Sequence, residues 1–167
     1  YVHSNQITYF TNDIQCGRKS GDGIVVGANG VLIAGGAYHF SRTIDSETYS
    51  NCCVDANGQI TLNENSAFIA NGDVVSKEGG ANITLGTNSV MIVNGDLKGR
   101  NDLTVNSGAI LYVTGNIKNY NAIYNYGTII CAGQIKTYSY DISNSGTIVA
   151  GSVTISPGGT ERWLYNY

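Results

Sequence analysis

The sequence is poor in charge, in proline and in long apolar runs. Only 13% of its 167 residues are charged, about half the usual share, and Pro occurs once. The net charge of −3 creates no field that would attract DNA or an anionic membrane, so we expect no nucleic-acid partner. No apolar run approaches the roughly 18 residues that a spanning helix needs, so we expect no membrane span.

The chain also has no basic-then-apolar start, and residue 1 is Tyr rather than Met. We therefore expect a mature or excised fragment whose leader is absent. Glycine is plentiful, at 22 residues, and Asn, Thr, Ser and Tyr supply most of the polarity. This composition is typical of strands and turns and is poor in helix formers. The length suffices for one domain with a sizeable core.

Cysteine occurs four times, and Cys16, Cys52 and Cys53 fall outside the repeat described below. A disulfide from Cys16 to Cys52 or Cys53 would fit an oxidising compartment, and the alternative is a set of unpaired buried thiols. Cys131 falls inside the repeat, where we expect a structural thiol. No CxxC or Cys/His spacing suggests zinc, and we expect no metal and no cofactor.

Internal repetition is the strongest signal in the sequence. Residues 60–160 divide into five segments of 23, 20, 20, 19 and 19 residues, each beginning with an aliphatic residue. Residues 24–38 match the segment that begins at Ile83, at a constant offset of 59. We therefore expect six coils over 24–160 with an insertion at 37–59, an N-terminal cap at 1–23 and a C-terminal cap at 161–167, all in the single domain 1–167.

Each segment has the same order of parts: a short apolar strand, a turn, a second apolar strand, a glycine, and a large apolar residue two positions later. The glycines are Gly36, Gly72, Gly95, Gly115, Gly133 and Gly151, and the apolar residues are Tyr38, Val74, Leu97, Ile117, Ile135 and Val153. Strands this short bury a core only if like residues stack between coils. The pattern predicts an all-β, single-stranded parallel β-solenoid (β-helix), with the glycines at tight corners of positive φ and with Asn106, Asn125 and Asn144 stacked as an amide ladder.

The segments SGTIVAGSVTIS and YGTIICAGQIK resemble repeats of filamentous-haemagglutinin-type and related bacterial surface β-helices. The resemblance covers roughly residues 24–156 and concerns the repeat pattern. It implies a secreted or surface-exposed bacterial protein used in adhesion or assembly. The irregular coil lengths and the insertion depart from the family pattern.

Alternation along the second strand of each coil separates an inner from an outer face. The inner ladders are expected to be Leu32, Phe68, Met91, Ile110, Ile129 and Ile148, and then Ala34, Ala70, Val93, Tyr112, Cys131 and Ala150. The outer ladder is expected to be Ile33, Ile69, Ile92, Leu111, Ile130 and Val149. Such an outer face is unusually apolar. Three explanations are open for this face. The insertion or the N-terminal segment covers it, or a neighbouring molecule covers it, or the face binds ice. Ice-binding solenoids, however, favour regular Thr ladders.

A second surface follows the glycine corner. Lys98, Lys118 and Lys136 occupy one position in three successive coils, and the aromatic residues beside them are Tyr120, Tyr138, Tyr124, Tyr126 and Tyr140. Such a strip suits stacking on sugar rings. The alternative is that stacked tyrosines stabilise the sheet and lysines keep it soluble.

Catalysis has little support, because the twelve acidic residues are scattered. Asp73 and Asp96 occupy equivalent positions after a glycine, but an isolated pair is more typical of a turn than of an acid–base dyad. We therefore expect no enzyme. The leading hypothesis is an extracellular or cell-surface structural or adhesive solenoid that self-associates into a filament or layer. The second is a module that binds a surface glycan or receptor through the Tyr/Lys strip.

Overall fold

A computed structural model describes residues 1–16, 23–35, 40–44, 46–77, 81–138, 140–156 and 163–167. The described residues form twenty strands and no helix. In chain order the strands are β1 (Ile7–Tyr9), β2 (Ile14–Cys16), β3 (Ile24–Val26), β4 (Val31–Ala34), β5 (Phe40–Ile44), β6 (Glu47–Ala56), β7 (Ile60–Leu62), β8 (Ala67–Ala70), β9 (Asp73–Ser76), β10 (Ile83–Leu85), β11 (Val90–Val93), β12 (Leu97–Gly99), β13 (Leu103–Val105), β14 (Ile110–Val113), β15 (Ile117–Asn119), β16 (Ile123–Asn125), β17 (Thr128–Thr137), β18 (Ile142–Asn144), β19 (Thr147–Ile155) and β20 (Leu164–Asn166).

The strands wind into a three-sided parallel β-solenoid of about seven turns, which confirms the predicted fold with one turn more than expected. The first face is the seven-stranded sheet β3-β7-β10-β13-β16-β18-β20. The second face is β1-β4-β8-β11-β14 followed by the first halves of β17 and β19. The third face is β2-β6-β9-β12-β15 followed by the second halves of the same two long strands, which bend across the corner.

The extra turn comes from the N-terminal residues. Val2 forms a parallel bridge with Val26, β1 pairs with β4, and β2 pairs with β6, so one short strand segment lies on each face. At the other end, β20 pairs in register with β18. Both ends therefore continue the stack, although residues 17–22 and 157–162 lie outside the described part of the chain.

The residues predicted as an insertion form an antiparallel hairpin of β5 and β6. The second half of β6 rejoins the stack, because Val54–Ala56 pairs with β9 and β2 on the third face. The hairpin therefore lies over the third face. The expectation that the insertion covers the aliphatic second face is wrong, because β6 belongs to the third-face sheet and holds the hairpin there.

The core is a column of ladders that runs the length of the stack, but one coil was placed wrongly from sequence. Leu111 is fully buried and pairs with Met91, whereas Ile110 and Tyr112 are each 39% exposed. Leu111 thus belongs to the inner ladder, and Tyr112 takes the outer position beside Ile92. The cause is a one-residue slip in alignment, which reverses every side chain of a strand.

The corner glycines have a different cause from the one predicted. Among the described glycines only Gly35 and Gly108 have positive φ. The predicted left-handed corner is therefore wrong at the described corner glycines, which are Gly72, Gly95, Gly115, Gly133 and Gly151. Gly36 and Tyr38 lie outside the described residues. A Cβ on Gly115 would lie 2.7 Å from the carbonyl oxygen of Gly95, and one on Gly133 would lie 2.7 Å from that of Gly115. The close approach of successive coils at this corner requires glycine.

The predicted amide ladder is present in part. The Asn125 side chain donates to Asn144 Oδ1 at 2.6 Å, and Asn144 donates to Asn166 Oδ1 at 2.6 Å. Asn106 is one position out of register with this ladder, because Asn125 pairs with Val105. The Asn106 side chain donates to the Leu85 carbonyl instead. The buried amides satisfy backbone groups at their turns, such as the Thr147 carbonyl at 2.9 Å.

None of the four cysteines forms a disulfide with another, so the bridge considered from Cys16 to Cys52 or Cys53 is not present. Cys16 pairs with Ala56 across the sheet. Cys53 lies three positions earlier on that strand, about 10 Å away at 3.3 Å per residue, which exceeds the reach of a disulfide.

Candidate functional site

The lysine ladder is in the predicted register, because Lys98 pairs with Lys118 and Lys118 pairs with Lys136. The hairpin covers much of it. The Glu47 carboxylate lies 3.1 Å from Lys118 Nζ and 3.9 Å from Lys98 Nζ, and Lys98 is only 3% exposed. The Tyr49 ring lies under both ammonium groups, at 5.7 and 5.6 Å. These two lysines therefore hold the hairpin down, and Lys118, one of the residues predicted for binding, keeps 25% of its side chain exposed.

Glu47 is the centre of this contact. Its carboxylate accepts hydrogen bonds from the Tyr49 hydroxyl at 2.7 Å and from the Tyr138 hydroxyl at 3.4 Å. Burial alone would raise the pKa of Glu47, but the hydrogen bonds from Tyr49 and Lys118 and the charges of Lys118 and Lys98 together lower it. Burial raises the pKa of the Tyr49 hydroxyl, and the bond to Glu47 adds to this effect. The glutamate therefore stays ionised and the tyrosine neutral.

Tyr120 and Tyr138 stack as predicted, with ring centroids 5.4 Å apart and planes 14° apart. The Arg100 guanidinium lies 4.6 Å from the Tyr120 centroid, and Lys136 Nζ lies 4.4 Å from the Tyr138 centroid. Cations over aromatic faces stabilise such a column. The faces of both rings thus pack against neighbouring side chains. This packing favours the stabilising role of Tyr120, Tyr138, Arg100 and Lys136 over sugar binding.

Tyr124 and Tyr140 belong to a separate place, a groove of about 260 Å³ at the C-terminal end of the first face. Its lining is Ala122, Tyr124, Tyr140, Asp141, Ser143, Tyr165 and Tyr167. Sequence reasoning assigned the last two tyrosines to a cap and missed the groove. The signal was present, because Leu164-Tyr165-Asn166 repeats the pattern of Ile123-Tyr124-Asn125 two strands further on.

The outer ladder of the second face is continuous through seven coils. It consists of Tyr9, Ile33, Ile69, Ile92, Tyr112, Ile130 and Val149, and a parallel ladder beside it consists of Ile7, Val31, Ala67, Val90, Ile110, Thr128 and Thr147. We call these fourteen positions the apolar strip. Every one of them is partly or largely exposed, with Val149 at 56% and Ile7 at 77%.

The aspartates considered for catalysis bond to the backbone of the next coil. Asp73 Oδ1 accepts from the Asp96 amide at 2.8 Å, and Asp96 Oδ1 accepts from the Asn116 amide at 2.7 Å. Asn116 Oδ1 continues the series to the Gln134 amide at 3.0 Å. The arrangement is a corner ladder in which each carboxylate accepts a backbone amide of the next coil, as turn aspartates commonly do.

The described residues hold no group of three or more His, Cys, Asp or Glu side chains placed to bind a metal ion. They also contain no helix with the length and hydropathy needed to cross a membrane.

Comparisons with protein-family models, with curated proteins and with solved structures found no match to the chain. The similarity to filamentous-haemagglutinin-type repeats therefore stays a prediction from the repeat pattern.

Proposed function

We propose that this chain is a non-enzymatic structural solenoid that self-associates through the apolar strip. The observation that supports this most strongly is the composition of the strip. Its fourteen outward positions contain no charged residue, although the chain has nine basic and twelve acidic residues. Exposed sheets normally carry charges that discourage contact with other chains. A surface kept free of charge over its whole length is suited to contact with another sheet.

The size of the strip indicates what kind of contact it makes. Seven strands at about 4.8 Å spacing and four residues across give a flat area of about 400 Å². Two copies facing each other would bury about 800 Å² in total, below the roughly 1,200 Å² of a stable interface. A single pair is therefore weak, and strong association requires repeated contacts in an array.

The ends of the stack offer a second contact. Among the described strands, β19 pairs only with β17, so a nine-residue edge rich in β-branched residues has no partner there. At the opposite end β1 pairs only with β4, and β2 pairs only with β6. Such edges are templates for strand addition, and the last coil of one copy has the same three-sided geometry as the first coil of the next. Lateral contact and end stacking together favour a filament or layer.

The same proposal makes the chain an extracellular, surface-associated bacterial protein with an adhesive or scaffolding role. It is supported by the resemblance of the repeats to bacterial surface β-helices and by a strand-and-turn composition low in charge. Surface labelling of intact host cells, followed by detection with an antibody against the chain, tests this part separately. Protection of the chain from the label would contradict it.

Sedimentation velocity over a wide concentration range tests self-association. We expect the wild type to shift towards larger species as concentration rises, and negative-stain micrographs of concentrated protein to show ordered arrays. The variant Ile69→Lys/Ile92→Lys places two charges in the strip and should lose the lateral contact, so its sedimentation should change much less with concentration than that of the wild type. The control Thr61→Lys/Thr84→Lys adds the same charges in the same two coils, at outward positions of the first face.

Two results would contradict the proposal. One is a wild type that stays monomeric over the whole range, and the other is an equal loss of association in the control variant. Circular dichroism melting of both variants shows whether either change acts through unfolding.

A further inference from the structure

One column of side chains on the first face contains a gap between two tyrosines. In the register of this sheet Tyr124 pairs with Ser143, and Ser143 pairs with Tyr165. The two tyrosines are therefore two strands apart, about 9.6 Å at 4.8 Å per strand, with a small residue between them. All three residues line the groove of about 260 Å³. The gap has the spacing that a flat ring needs to stack on both sides.

The surroundings of the gap differ from those of the other tyrosine column. Tyr124 is 38% exposed and Tyr165 is 43% exposed, and no cation lies over either ring among the described residues. Tyr120, in contrast, has Arg100 at 4.6 Å and Tyr138 at 5.4 Å. Tyr165 also packs against Tyr167 on its own strand, with ring centroids 6.3 Å apart and planes 15° apart. The position between Tyr124 and Tyr165 is held by Ser143, which has no ring, whereas Tyr120 and Tyr138 stack directly on each other.

The polar groups of the groove are suited to hydroxyls. Asp141 Oδ1 accepts the Trp163 amide at 2.9 Å, and its second carboxylate oxygen has no partner within the described part of the chain. The Ser143 hydroxyl can both donate and accept. Tyrosine rings with a carboxylate and a hydroxyl between them match a ring that has an apolar face and an equatorial set of hydroxyls.

We propose that this groove binds a pyranose ring of a neutral glycan, stacked in the gap between Tyr124 and Tyr165. The Asp141 carboxylate accepts hydrogen bonds from ring hydroxyls and disfavours an anionic sugar, as does the net charge of −3. Binding here is independent of self-association, because the groove is on the first face and the apolar strip is on the second.

Affinity electrophoresis through gels that contain a soluble neutral polysaccharide, one gel each for a β-glucan, an α-glucan and a mannan, tests the proposal. We expect retardation of the full chain in at least one gel. Ser143→Tyr fills the gap with a third ring, as Tyr120 and Tyr138 stack, and should abolish retardation while leaving the melting temperature unchanged or higher. Tyr124→Ala should weaken binding by about tenfold.

Tyr120→Ala is the matched control, because it removes a tyrosine from the neighbouring coil outside the groove, and it should keep the wild-type retardation. The proposal is overturned if no neutral polysaccharide retards the wild type, if polygalacturonate retards it more strongly than the neutral polymers, or if Ser143→Tyr still binds. Sedimentation of Ser143→Tyr should match the wild type, which distinguishes failure of this site from failure of the assembly proposal.

Discussion

The close approach of coils at the glycine corner makes Gly115→Ala a sharp test of the stacking geometry. The new methyl carbon would first meet Asp96 Oδ1, which must move aside, and it would lie 2.7 Å from the Gly95 carbonyl oxygen. Ordinary contact begins at about 3.4 Å, so the backbones must separate by about 0.7 Å. That oxygen accepts the Gly115 amide at 2.9 Å, and Gly133 donates to the Gly115 carbonyl at the same distance. The shift therefore strains two steps of one ladder.

The expected cost combines three contributions. Overpacking typically costs about 1–3 kcal/mol, a weakened ladder hydrogen bond costs about 1 kcal/mol, and the lower entropy of unfolded alanine offsets about 0.4–1 kcal/mol. The net loss is about 1–3.6 kcal/mol in the free energy of unfolding. For a chain of this size we expect the melting temperature to fall by about 2–14 °C.

Thermal melting followed by circular dichroism, with urea titration as a second measurement, gives the result. Gly151→Ala is the comparison, because its methyl carbon would meet the Gly133 carbonyl oxygen at 2.9 Å. Gly151 lies in β19, the last strand of its sheet, and among the described strands no further coil lies beyond it to resist a shift. Its loss should be less than half as large. A Gly115→Ala protein as stable as the wild type would refute the close coil contact.

Three further predictions concern other parts of the structure. Asn125→Leu leaves the carbonyl groups of Asn144 and Thr147 without their donor and should lower the free energy of unfolding by about 2–4 kcal/mol in urea titration. The lowered pKa of Glu47 means that its stabilisation is complete above the ordinary value of 4.5 and is lost as pH falls through the lower folded value, so the wild-type urea midpoint should fall below pH 4.5 towards that of Glu47→Gln. Burial raises the pKa of Cys53 to about 12, so this thiol should react with Ellman's reagent at neutral pH only after unfolding, and a reductant should leave the melting temperature unchanged.

The sequence was sufficient for features that repeat at nearly constant spacing. The glycine, the apolar residue two positions later and the following lysine keep the same interval in successive coils, so Lys98, Lys118 and Lys136 could be aligned without coordinates. The slip at Leu111 shows the limit of this method. Every residue near it is apolar on both faces, so hydrophobicity did not distinguish the inner from the outer position.

Features that depend on a single non-repeated segment were not predictable in the same way. Nothing in residues 37–59 indicated which face the hairpin would cover, because its position depends on long-range contacts, namely the pairing of β6 with β9 and β2 and the ion pairs of Glu47 with the lysines. The tyrosine groove depends on the register of β20, a three-residue strand that follows a stretch without repeat character. Its pattern matches that of β16, but a three-residue match in isolation is too short to align.

The position of the hairpin also bears on the purpose of the apolar strip. Within the described ranges, one inserted element is large enough to cover a face, and it lies over the buried Lys98, where an uncompensated ammonium would be costly. The second face has no such cover among the described residues, although its side chains are the most apolar of the exterior. If the second face contacted only solvent, Thr or Lys at single positions would cost little stability, because outward positions of a strand tolerate polar residues. Ten of the fourteen side chains of the apolar strip are aliphatic, whereas the outward ladder of the first face consists mainly of Thr, Ser and Tyr. This difference favours a protein surface, and in particular a second copy of the same flat sheet, as the partner of the strip.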